Sequence, residues 1–114
     1  MNPTSKKQCT SCHKDTIPLT TEEQTSLYKT LSPGWTLKDQ KILEKSYHFS
    51  NFAQALAFTN QVGALAEQEG HHPDIMLSWG RVHLQITTHK IHGLSLNDFI
   101  LAAKCDLLQL RPVK

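Results

Sequence analysis

Glu67, His71, His72 and His89 are the residues of this chain best suited to moving protons near neutral pH. Histidine has the side-chain pKa nearest neutrality, so one imidazole can donate a proton and another accept one. Elimination of water needs both acts: the leaving hydroxyl is protonated while a neighbouring atom loses its proton. Two or more histidines beside a carboxylate suit that task. Of the seven histidines in the chain, four fall between His71 and His89, which is where chemistry is expected. His13, His48, His83 and His92, taken singly, read as ordinary surface or core histidines. Imidazoles are also common metal ligands, so a metal centre is the natural rival. Adjacent histidines such as His71 and His72 point apart in many backbone conformations, however. His83 and His89 have no cysteine or carboxylate at matching spacing nearby, so no metal is expected at this site.

For these side chains to meet, the elements carrying them must bring them together. A first helix begins at Thr20, where Thr20-Thr21-Glu22-Glu23 has capping-box spacing; its stripe is Leu27, Tyr28 and Leu31, and Pro33-Gly34 ends it. Trp35 to Leu37 reads as a short strand, with a turn at Asp39-Gln40. From Ile42 to Phe49, Leu43, Tyr47 and Phe49 alternate with Glu44, Ser46 and His48, the period of a half-buried strand. Ser50 or Asn51 caps a long helix reaching about Glu69. Phe52, Ala55, Leu56, Thr59, Val62 and Ala66 are its expected core face, and Gly70 stops it. Pro73 disfavours further helix.

Ile75 to Ser78 is a short strand, Trp79-Gly80-Arg81 a turn, and Val82, Leu84 and Ile86 alternate with His83, Gln85 and Thr87 in a strand over 82–88. Pairing about that turn sets His89 opposite about position 71, beside the His-His pair, within reach of Glu67 at the end of the long helix. After His92-Gly93, Ser95 and Asp98 open a last helix with a stripe of Phe99, Ala103, Asp106/Leu107 and Leu110, closed by Arg111-Pro112. The order α-β-β-α-β-β-α, with short hairpin links, predicts an α+β domain: a four-stranded antiparallel sheet with three helices packed on one face. Residues 1–18 have no hydrophobic periodicity and read as an extended arm, leaving 19–112 as a single domain.

Bulk properties narrow the function classes. A chain of 114 residues suits one domain. Its net charge of +2, with lysines and arginines scattered, lacks the concentrated basic face of a nucleic-acid binder. No apolar run approaches the length of a membrane span, and the N-terminus lacks the apolar core of a signal peptide, so the expectation is a cytoplasmic protein with reduced cysteines.

The spaced pattern Glu67, His71-His72-Pro73, Trp79, His89 and Asp98 resembles the signature of pterin-4a-carbinolamine dehydratases. Three residues separate Glu67 from His71, five separate Pro73 from Trp79, nine Trp79 from His89, and eight His89 from Asp98. Asn51-Phe52-Ala53-Gln54-Ala55-Leu56 and Gly93-Leu94-Ser95 are also similar to family segments, and the resemblance covers roughly residues 18 to 110. It implies an α+β fold, assembly as homodimers or homotetramers, and dehydration of 4a-hydroxytetrahydropterin to quinonoid dihydropterin without metal or bound cofactor. That reaction recycles the pterin of aromatic amino-acid hydroxylases, which makes such a hydroxylase a functional partner. Carried over by position, His71 and His89 are expected to act as general acids toward the 4a-hydroxyl, one for each face of the pterin. His72 is expected to orient the ring, and Glu67 to tune the histidines or accept the N5 proton. The resemblance further implies that Pro73 shapes the loop and that backbone groups of Thr87 and Thr88 contact the pterin.

Two of the motif residues also have structural readings. Asp98 stands where a capping box needs an acceptor, and Trp79 either covers the core edge or lines the pterin pocket. Outside the motif, Cys9-Thr10-Ser11-Cys12-His13 matches a haem-attachment motif and offers three ligands for adventitious zinc, without a second pair to make it specific. Cys105 reads as a small core residue. The competing function classes are an interaction or transcriptional-coactivator role, suggested only by the family tie, and a His/Cys metal-binding module.

Overall fold

The protein is described by a computed structural model covering residues 18–109. The expected arm apart from Pro18, the Cys9–His13 motif and the end of the last helix at Leu110 to Pro112 lie outside the described residues. Helix α1 spans Thr21–Tyr28, strand β1 Thr36–Lys38, β2 Ile42–His48, α2 Phe52–Glu69, β3 Asp74–Ser78, β4 Arg81–Ile86 and α3 Leu96–Gln109, with a 3-10 turn at His89–Ile91 before α3. The sheet is antiparallel in the order β1-β2-β4-β3. The expected α-β-β-α-β-β-α order and α+β class are therefore observed.

Alternation in the strands decides which face is buried. Leu43 and Tyr47 on β2 share a face with Val82, Leu84 and Ile86 on β4, and all five are at most 1% exposed. Ala55, Phe58 and Val62 of α2 and Phe99, Leu101, Ala102 and Cys105 of α3 complete this core. Each large apolar side chain buried this way contributes about 1.5–3 kcal/mol, so the helices are held mainly by their fit to this sheet face.

The stripe expected for α2 is rotated. Phe52 and Leu56 are 43% and 40% exposed, while Phe58, not anticipated, is fully buried against Tyr47 and Phe49. The buried set Ala55, Phe58, Val62 and Ala66 follows helical spacing on a narrower face, and the helix packs against α3, β3 and β4. On α1 the buried residue is Gln24, whose amide donates to the carbonyls of Leu19 and Gln40. The helix ends at Tyr28 rather than at Pro33, and the Tyr28 hydroxyl donates to the carbonyl of Trp35.

Lys45 lies on the core side of β2, between Leu43 and Tyr47. Its ammonium meets Asp106 Oδ1 of α3 at 2.8 Å, and the same oxygen accepts from the Tyr47 hydroxyl at 2.6 Å. Asp106 Oδ2 accepts from Trp35 Nε1 at 2.9 Å. Burial, with the Asp106 charge beside it, pushes the Tyr47 phenol well above its ordinary pKa. A buried charge is tolerated where it is paired and hydrogen-bonded, and this knot meets both conditions.

The other sheet face carries Glu44, Ser46, His83 and Gln85. Ser46 Oγ and His83 Nδ1 are 2.7 Å apart, and Gln85 Nε2 donates to Glu44 Oε2 at 3.0 Å. That hydrogen bond, helped by His83, lowers the Glu44 pKa. A depressed carboxyl adds stability above its unfolded pKa and loses it as pH falls through the lowered folded value. Glu44→Gln is therefore expected to flatten the acid side of a melting-temperature-against-pH curve below the ordinary glutamate range. An unchanged acid limb in calorimetric scans would refute this.

Candidate active site

The site is assembled at one end of the sheet from three chain segments. The first is the end of α2. Gly70 caps it at φ 66°, its N–H donating to Ala66 O, and the His71 N–H reaches the same carbonyl at 3.2 Å. This left-handed cap, which glycine adopts without strain, turns the chain so that His71 and His72 leave the helix end instead of prolonging it. The second segment runs from the end of β4 through Thr87 and Thr88 into the 3-10 turn. The third is the first turn of α3.

His71, His72, Thr87, Thr88 and His89 line one cavity of about 240 Å³, together with Gly70, Lys90 and Asn97. The three histidines singled out in the sequence therefore share one site, as do both threonines. Two larger hollows, of about 450 and 490 Å³, contain none of the histidines. Pro73 and Trp79 do not line the cavity. Trp79 is 68% exposed at the β3–β4 turn, so it neither covers the core edge nor touches this site.

His89 arrives differently from expectation. The β3–β4 register is close to the expected one, with Ile75 opposite Leu84 and Leu77 opposite Val82. However, β4 ends at Ile86, not at 88, and His89 opens the 3-10 turn. Thr88 N–H donates to Gly93 O at 3.0 Å and the two residues form an isolated bridge, so the chain between them leaves the ladder as a short excursion. Ile91, 8% exposed, pins that excursion to the core, while His89 stays exposed.

Each of the adjacent histidines is held by a different carboxylate. His71 Nε2 lies 2.6 Å from Asp98 Oδ1, with Asp98 fully buried. Asp98 Oδ2 accepts from the Thr88 hydroxyl at 2.7 Å and from Ser95 N–H at 2.8 Å. With Thr88 and Ser95 donating to Oδ2, Oδ1 is the carboxylate oxygen that faces His71, and an Nε2–H donating to it would leave Nδ1 outside this bond. The expected cap is present, since the Ser95 contact closes the start of α3, but the same carboxylate also orients His71. Asp98 thus does more than the cap that its spacing predicts. His72 Nε2 meets Glu67 Oε2 outside the buried region, with both side chains largely exposed. Glu67 therefore touches a cavity-lining residue, His72, but does not line the cavity itself. Among the described residues, the His89 imidazole has no hydrogen-bond partner.

Sequence reasoning missed Lys90 and Asn97. Lys90 follows His89 directly, and Asn97, 4% exposed, precedes Asp98, so only their neighbours hinted at them. Among the described residues no three His, Cys, Asp or Glu side chains gather as a metal-holding group. No helix among them is long and apolar enough to cross a membrane.

Three imidazoles line one small cavity on an α+β scaffold, and two of them are hydrogen-bonded to carboxylates, so groups capable of acid–base chemistry share one place. The chain belongs to the Pterin 4 alpha carbinolamine dehydratase family, whose model matches residues 17–108. A relative from Alkaliphilus metalliredigens, named "Putative pterin-4-alpha-carbinolamine dehydratase", is 45% identical over 96% of this chain and 98% of its own. One of the same name from Methylococcus capsulatus is 50% identical over 90% of each chain. Among solved structures, a transcriptional coactivator/pterin dehydratase from Brucella melitensis superposes with a TM-score of 0.74 at 28% identity, covering 80% of this chain and 97% of that one. A pterin dehydratase-like RuBisCO assembly factor of the alpha-carboxysome gives a TM-score of 0.57 at 27% identity, covering 66% of this chain and 88% of the other. The family read from the spaced histidine motif is the family found.

Proposed function

We propose that this protein is a hydro-lyase that removes water from 4a-hydroxytetrahydropterin to give quinonoid dihydropterin. The observation that carries this reading is the convergence of His71, His72 and His89 on one cavity in a chain of this family. The pterin lies against Thr87 and Thr88 with its C4a–N5 edge toward the imidazoles. A protonated imidazole gives its proton to the 4a-hydroxyl as the C4a–O bond breaks, and water departs. The electron pair at N5 forms the C4a–N5 double bond, and the N5 proton passes to a base. The change is redox-neutral, so proton transfers alone balance it.

His71 and His89 enter the cavity from different segments and serve as the acids, one for each face of the ring. His71 is the more rigid of the two because Asp98 fixes its Nε2; His89 stands on the short turn. His72, held by Glu67, orients the ring, and the pair takes up the N5 proton. Pro73 acts indirectly by setting the course of the loop after His72. The protein works in the cytoplasm beside an aromatic amino-acid hydroxylase, recycling its pterin. It forms a homodimer or homotetramer, a reading supported by the exposed Phe52 and Leu56 on α2.

The reading is tested by adding purified protein to a pterin-dependent hydroxylase reaction and following quinonoid product in the ultraviolet. Catalytic amounts should accelerate its appearance. No acceleration at any protein concentration would overturn the proposal.

A further inference from the structure

A second cavity, also about 240 Å³, adjoins the first and shares Thr87 and His89 with it. Its other lining residues are Lys41, Ile42 and His92. Two turns build it. The β1–β2 hairpin reverses through Asp39 and Gln40, with φ of 52° and 58°, and closes with Lys41 N–H on Lys38 O at 3.0 Å. Lys41 is thereby set at the rim, and its carbonyl accepts from the Thr87 hydroxyl at 2.6 Å, which ties the hairpin to the active-site segment. On the opposite side, the 3-10 turn ends at His92, whose φ of 52° and bond from its N–H to His89 O at 3.2 Å leave its side chain exposed.

The charge pattern is one-sided. Among the described residues no carboxylate lines either cavity, whereas the Lys41 ammonium lines the second, with the imidazoles of His89 and His92 beside it. The first cavity is smaller than the usual range for drug-sized ligands and suits a small flat heterocycle. A substituent on that heterocycle must extend past its rim, and the second cavity begins at His89. A neutral substituent gains little from an ammonium there. A negative one gains a charge-assisted hydrogen bond from Lys41 in a concave setting that strengthens its field.

Resting on the pterin reading above, we infer that the groove formed by Lys41 and His92 is a subsite for an anionic substituent of the pterin, a phosphate or a carboxylate. The protein therefore prefers pterins that carry negative charge on the side chain over neutral ones.

The test compares equilibrium binding of three ligands by fluorescence titration: a dihydropterin with a neutral hydroxymethyl group, its phosphate monoester, and dihydrofolate, whose tail carries carboxylates. At least one anionic ligand should bind about tenfold more tightly than the neutral one. Which of them gains identifies the source of the charge. The advantage should shrink at high salt and disappear in Lys41→Glu, with His92→Gln giving a partial loss. Melting curves check that each variant is folded. Equal affinity for all three ligands, or an advantage untouched by salt and by Lys41→Glu, overturns the inference while leaving the dehydratase reading in place. Failure of all three ligands to bind removes both.

Discussion

Replacing His89 with alanine is expected to lower dehydration turnover by about two to four orders of magnitude, the usual contribution of a positioned acid or base. The fold should hardly notice. His89 is exposed and has no hydrogen-bond partner among the described residues, and the turn that carries it is anchored by the buried Ile91 and the Thr88–Gly93 bridge. Surface substitutions of this kind stay within about 0.5 kcal/mol. The measurements are quinonoid formation from a carbinolamine generated in place and a thermal melt of the same sample. Turnover near that of the unaltered protein would remove His89 from the mechanism. If the two acids serve opposite faces of the ring, the loss should fall more heavily on one 4a stereoisomer than on the other.

Asp98→Ala should damage both activity and stability. The carboxylate is fully buried, caps α3 through Ser95 N–H, accepts from Thr88 and holds His71. Loss of a helix cap together with a charge-assisted hydrogen bond is expected to destabilise by about 2–5 kcal/mol, read in urea unfolding. Asp98→Asn separates the two roles. The amide keeps the shape and one acceptor but places an NH2 among donors, so the tautomer of His71 is no longer enforced. Activity per folded molecule should then fall on the order of a hundredfold or more, with a smaller loss of stability. Nitrogen NMR of the His71 ring checks the cause: Nε2 should be the protonated position in the unaltered protein and lose that preference in the variant. Unchanged activity and ring tautomer in Asp98→Asn would leave the residue as a cap alone.

Much of this arrangement is legible in the amino-acid sequence. Strand alternation fixed the inward residues Leu43, Tyr47, Val82, Leu84 and Ile86, and turn residues fixed the breaks at Asp39-Gln40, Gly70 and Trp79-Gly80. Those breaks are local chemistry, which a sequence carries directly. The His-His pair at the end of α2 and a strand returning toward it were enough to foresee a shared site. What was not legible depends on partners distant in the chain. Lys45 shares the inward face of β2 with Leu43 and Tyr47, and only the arrival of Asp106 from α3 makes that position tolerable. The exposure of Phe52 and Leu56 likewise reflects where α3 and β4 sit, which periodicity on α2 does not encode. His89 reaches the histidine pair by a turn and not by the strand that alternation predicts, because alternation continues through Thr87 while the hydrogen-bond ladder ends at Ile86. Asp98 had a sufficient local explanation as a cap, and that explanation hid its contact with His71, twenty-seven positions earlier.

The double duty of Asp98 also ties the orientation of His71 to backbone dynamics. The Ser95 N–H that it accepts is an exchangeable amide, and every opening of that first helical turn frees the carboxylate from the geometry that aims His71. The hydrogen-exchange rate at Ser95 therefore reports how often this imidazole loses its orientation. A substitution far along α3 that loosens the first turn would appear as a fall in the fraction of active molecules long before the protein unfolds.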